Sequence, residues 1–110
     1  MATIKAPFGE SQNITIAATG ATAVTITNHD SGNQTIPTLT GNATLTVTAT
    51  GVLAGALLSL RIKTTATETF TFAGAIIAQV VTGVAGKTWS QSFVFNGTNF
   101  YPAGAKIQVD

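Results

Sequence analysis

The sequence predicts an all-β protein, a β-sandwich or jelly-roll-like domain of about eight to ten short antiparallel strands. Three observations carry this. Threonine dominates the polar positions, with Ala, Val and Ile beside it; β-branched side chains are stiff at χ1 and suit a pleated surface. Apolar and polar residues alternate at period two in several runs, whereas no long segment shows a 3.6-residue apolar period. Turn-forming residues punctuate the runs at short intervals.

Taken in order, Ile14 and Ile16 alternate with Thr15, and Val24 and Ile26 alternate with Thr25 and Thr27. Leu45 and Val47 alternate with Thr44, Thr46 and Thr48. Leu58, Leu60 and Ile62 share one face of a run whose other face carries Ser59, Arg61 and Lys63; Phe70 and Phe72 alternate with Thr69 and Thr71. Each pattern reads as a strand with one buried face and one polar face. Reversals are expected at Thr19-Gly20, Asp30-Ser31-Gly32-Asn33, Gly41-Asn42, Gly51, Gly74 and Gly83 through Gly86.

The sharpest local signal is Phe93-Val94-Phe95-Asn96-Gly97-Thr98-Asn99-Phe100-Tyr101. Asn-Gly between apolar runs signals a hairpin, because a type I′ turn needs positive φ at both central residues. Such a turn pairs Phe95 with Thr98, Phe93 with Phe100, and Ser92 with Tyr101. It places Trp89, Phe93, Phe95 and Phe100 on one face, expected to be core by the burial habits of Phe and Trp. The functional alternative for those rings is a stacking platform for a sugar or base. Tyr101 falls on the opposite face and is the candidate exposed contact.

At 110 residues the chain is expected to form one domain, a β-domain over residues 12–110 preceded by an N-terminal arm at residues 1–11. Pro7 and Gly9 argue against a central strand in the arm. Ile4, Lys5, Pro7 and Phe8 are its candidate docking residues. The start, MATIKAPFGES, has no apolar run of the kind a secretory signal carries. The longest apolar stretch, Val52 to Leu60, is far shorter than the roughly 20 residues of a membrane helix. Synthesis in a cytoplasm, with no membrane partner, is the expectation.

Cysteine is absent, so neither disulfides nor thiolate metal sites are available. Charged residues make up 8% of the chain and the net charge is +1, against about a quarter charged in ordinary soluble domains. The basic residues Lys5, Arg61, Lys63, Lys87 and Lys106 are scattered in sequence, which argues against a nucleic-acid partner. So little charge favours a chain whose surface is covered by copies of itself or by another protein.

Catalytic patterns are weak. Glu10, Asp30, Glu68 and Asp110 are the acids and His29 the one histidine; no spacing favours a carboxylate pair across a cleft. His29 and Asp30 adjoin, but neighbours on a strand point to opposite faces, and Asp30 reads as a turn initiator. No ligand cluster has metal spacing. Gly83-Val84-Ala85-Gly86-Lys87-Thr88 looks like the end of a phosphate loop, yet no helix pattern follows to supply an anion-binding N-terminus. Asn-x-Thr triplets begin at Asn13, Asn33, Asn42 and Asn96; without a signal peptide they read as products of a Thr-rich composition. The expectation is no enzyme, no cofactor and no metal.

The stretch from Leu53 to Gly104 runs LLSLRIK, TFTFAG, a Gly-bearing loop, then KTWSQSFVFNGTNFYPAG. This order resembles modules of small bacteriophage virion proteins: head fibres, capsid decoration proteins and tail-fibre segments. Their closing hairpin often reads Tyr-Asp-Gly-Thr followed by an aromatic strand. Asn96 stands here for the usual Asp, while Phe95 and Phe100 stand where Tyr and Trp are common. The resemblance implies a Thr-rich β-sandwich or jelly roll, often trimeric, located in the virion, with the major capsid protein or another virion protein as partner. Two functions follow as expectations. One is a capsid decoration or auxiliary protein, a cement or head-fibre part; the other is a tail, receptor-binding or carbohydrate-binding β module.

Overall fold

The computed structural model describes residues 11–110; the expected docking residues Ile4, Lys5, Pro7 and Phe8 lie outside the described part. The described chain is all-β, with no helix. Eleven strands form: β1 (Gln12–Asn13), β2 (Gly20–Ile26), β3 (Asp30–Gly32), β4 (Thr38–Leu39), β5 (Ala43–Ala49) and β6 (Leu57–Thr64). They continue as β7 (Thr69–Gly74), β8 (Val81–Thr82), β9 (Thr88–Phe95), β10 (Phe100–Pro102) and β11 (Ile107–Gln108).

The expectation of antiparallel strands alone is overturned, because both sheets are mixed. The larger, seven-stranded sheet runs β1-β3-β6-β9-β10, with β4 also on β6 and β11 also on β9; the smaller runs β2-β5-β7-β8. The chain passes back and forth between the two. One passage later each strand lies parallel to its predecessor, so Gly20 sits beside Ala43 and Ala43 beside Phe70. In the large sheet β1, β3 and β6 are parallel in the same way. Antiparallel pairing comes with the second half: β8 against β7, then β9 against β6, with β10 and β11 on β9. Parallel neighbours need long crossovers, and here the crossover is a strand of the opposite sheet.

Between the sheets lies one apolar core. Leu58, Leu60, Ile62, Phe93 and Phe100 from the large sheet and Ile26, Leu45, Val47 and Phe70 from the small one are almost wholly buried. Each such side chain contributes about 1.5–3 kcal/mol on burial. Rings join the layers: Phe70 meets Trp89 edge-on at 5.5 Å, and Phe72 meets Phe93 at 5.4 Å. Ile14 and Ile16, expected on a strand, are buried as expected but lie in irregular chain after β1.

The expected turn at Asp30 to Asn33 is also corrected. Asp30, Ser31 and Gly32 are β3, paired with Leu57, Leu58 and Ser59. The reversal comes earlier, as a bend at Asn28 and His29. After Gly32 the chain bulges away from β6 and returns as β4 beside Lys63 and Thr64. Across the gap the Asn33 side chain accepts the Arg61 N–H through Oδ1 at 2.8 Å and donates through Nδ2 to the Arg61 carbonyl oxygen. Gln12 acts similarly on the small sheet. Its Oε1 accepts the Thr27 N–H at 2.8 Å and its Nε2 donates to the Thr25 carbonyl oxygen at 2.6 Å. Side-chain amides thus finish backbone pairing where the strands themselves part.

Candidate functional site

The aromatic hairpin is core. Trp89, Phe93, Phe95 and Phe100 are all buried, and Phe95 packs on Phe100 with centroids 4.8 Å apart. The platform reading of those rings is thereby removed. Pairing differs from the expected register: Phe95 faces Phe100, Val94 faces Tyr101, and Phe93 faces Pro102. The turn is not type I′ either, since Gly97 has φ of +101° while no described residue other than glycine has positive φ. The loop is longer, and the Asn96 side chain organises it. Asn96 Oδ1 accepts the N–H groups of Thr98 at 2.9 Å and Asn99 at 2.8 Å. Asparagine side chains favour such local turns.

What remains exposed on the large sheet follows from register, because residues directly opposite share a face. Leu57, Val94 and Tyr101 form one outward row, followed by Ser59 with Ser92, then Arg61 with Ser90 and Ile107. Tyr101 is 42% exposed and Leu57 46%. The contact expected of Tyr101 is therefore sterically available, and it extends into an apolar row that sequence reading missed. Leu57 and Val94 each belonged to a recognisable strand, but nothing local brought them together.

The outward face of the small sheet is of a different kind. Ala21, Thr44 and Thr71 form one row; Ala23, Thr46 and Ala73 the next; Thr25 and Thr48 a third; Thr69 and Thr82 another. Every residue in those rows is Ala or Thr. This surface carries hydroxyls and methyls with no charge.

The candidate titratable groups serve the fold. Glu68 is buried and accepts from the Thr65 N–H at 2.9 Å, the Thr65 hydroxyl at 2.6 Å and the Ala66 N–H at 2.6 Å. The Thr65 hydroxyl, foremost, holds the carboxyl below its ordinary range, against the opposing effect of desolvation. Asp110 accepts the Thr88 N–H at 2.6 Å, which lowers its pKa; the charges of Lys87 and Lys63 add to that. Asp30 accepts the Ser11 hydroxyl at 3.0 Å. Glu10 lies outside the described residues. Among the described residues, no group of three or more His, Asp or Glu side chains has the arrangement to hold a metal ion.

In the stretch resembling a phosphate loop several amides are occupied. The Gly86 N–H donates to the Thr64 carbonyl oxygen at 2.8 Å, and the Lys87 N–H to that of Val84 at 3.0 Å. Thr64 in turn donates its hydroxyl to the Val84 carbonyl oxygen at 2.8 Å. A Cβ at Gly83 would collide with the Thr64 side chain, so the glycine there permits a close wrap over β6.

Comparison with protein-family models, with curated proteins and with solved structures finds no match to the chain.

Proposed function

We propose that the chain is a non-enzymatic structural protein of a bacteriophage virion, a capsid decoration or auxiliary protein that works as a homo-oligomer. The observation that carries this reading is the small sheet's outward face of Ala and Thr alone. An uncharged face buries against a copy or a shell protein without stranding any ion. The low charge of the whole chain and the virion-module resemblance of Leu53 to Gly104 point the same way. A trimer, docked on the major capsid protein through the N-terminal arm, is the preferred form, and that choice rests on the resemblance.

Light scattering of the purified chain and of Thr46→Arg tests self-assembly, with Thr46 at the centre of the face. An oligomer that Thr46→Arg dissociates at unchanged melting temperature supports the reading, while a wild-type monomer at micromolar concentration overturns it. Location is tested by quantitative mass spectrometry of particles from the host carrying the gene. Many copies per particle support head decoration, and absence from particles sinks the virion role. A second reading, a receptor- or carbohydrate-binding tail module, is favoured by the exposed Tyr101 beside Leu57 and Val94. A few copies confined to tails, with glycan binding lost in Tyr101→Ala, would select it.

A further inference from the structure

Beside β8 and the chain leading into it lies an open groove of about 430 Å³. That volume lies within the range of small-molecule sites, about 300–1,000 Å³. Its walls include Phe72 and Phe93, and four polar residues join them, Gln79, Thr82, Gln91 and Lys106. Exposed Val80 extends the apolar wall toward solvent.

The polar groups indicate what the groove would take. Gln91 is only 8% exposed. Its Nε2 donates to the carbonyl oxygens of Ser92 and Gly104, both at 3.0 Å. Its Oε1 has no hydrogen bond within the described chain, yet it is not sealed from the groove. An acceptor open to the groove and without a partner in the described chain is available to a ligand that brings a donor. Lys106 supplies a cation at the same wall and makes no ion pair with a described residue. The nearest acid in sequence, Asp110, is engaged by Thr88 instead. An apolar wall, the Gln91 acceptor and the Lys106 cation together point to a complementary ligand.

We propose that this groove binds a small amphipathic acid, an apolar chain or ring bearing a carboxylate and an N–H or O–H donor. The carboxylate pairs with Lys106, the donor reaches Gln91 Oε1, and the apolar part lies on Phe72 and Val80. This site borders the small sheet's outward face at Thr82 and does not depend on a virion role.

The probe is N-dodecanoylglycine, which has all three features, used below its micellar concentration. Trp89 is the chain's one tryptophan and borders a small cleft that shares Lys106 with the groove. Its fluorescence, with calorimetry alongside, reports binding. Saturable one-to-one binding is expected, weakened at least tenfold for the methyl ester, which lacks the charge, and several-fold for dodecanoate, which lacks the N–H. Lys106→Gln should bind acid and ester alike, and Ala78→Trp, which fills the groove from its wall, should bind neither. Melting curves establish that both variants fold. Absence of saturable binding to the wild type overturns the proposal. So does binding that a folded Ala78→Trp retains, or an acid preference that survives Lys106→Gln.

Discussion

The Asn33 side-chain amide takes the place of a backbone peptide beside Arg61, accepting its N–H at 2.8 Å and donating to its carbonyl oxygen. Arg61 lies in the middle of β6, flanked by β9 on one side and by the bulge between β3 and β4 on the other. Without the amide, both of its backbone groups on that side would lose their partners.

Asn33→Ala is therefore expected to destabilise the protein by at least about 1–3 kcal/mol, the usual effect of leaving a covered backbone group unsatisfied. Asn33→Asp keeps the acceptor for the Arg61 N–H but turns an oxygen toward the Arg61 carbonyl, and should be destabilised as well. Urea unfolding midpoints measure both. A change within about 0.5 kcal/mol, the ordinary range of surface substitutions, would show that the amide bridge is dispensable.

Phe93→Ala should remove about 3–5 kcal/mol, the range for truncating a fully buried aromatic ring, because Phe93 is wholly buried and packed on Phe72. Tyr101→Ala, in the same hairpin but facing out, should change stability by no more than about 0.5 kcal/mol. Similar losses from the two would mean that Tyr101 is covered in solution, and comparison above and below the concentration of self-association would locate the cover.

Gly97→Val tests the hairpin loop. With φ of +101° at Gly97, a β-branched residue is strained there, by roughly 1–2 kcal/mol or more on the scale of left-handed backbone penalties. Asn96→Ala should lose about 1 kcal/mol, since two amides then exchange a well-placed acceptor for water. An unchanged thermal midpoint for Gly97→Val would show that the loop readily adopts another conformation.

Glu68 makes stability depend on acid pH. Its carboxyl is held below the ordinary value by the Thr65 hydroxyl and by backbone N–H groups. Its folded pKa is thus lower than its unfolded one. The contribution is complete above the unfolded value and fades as pH falls through the folded value. Melting temperature should fall on acidification from pH 7 into the range below pH about 4, and Glu68→Gln should flatten that decline. A decline of equal size in Glu68→Gln would assign it to Asp110, whose pKa is lowered in the same direction.

Period-two alternation determined where the main strands lie and which side chains turn inward. Leu58, Leu60 and Ile62, and again Phe93 and Phe95, are buried as their spacing requires. Even the hairpin's faces were legible despite a wrong register. The observed pairing differs from the expected one by two residues, and a shift of two leaves every side chain on its original face. Tertiary structure alone decided which strands meet and in which direction, because alternation is identical in parallel and antiparallel sheets. Asp30 to Asn33 shows the reason: its residues favour a turn, but β6 offered an unpaired edge that drew Asp30, Ser31 and Gly32 into a ladder. Asn33 and Gln12 carried no local sign of their clamping roles, since Arg61 reaches Asn33 only when β6 joins β3 and β4, and Thr25 and Thr27 reach Gln12 only when the two sheets close. The Leu57–Val94–Tyr101 row and the Ala/Thr face are likewise products of register between distant strands.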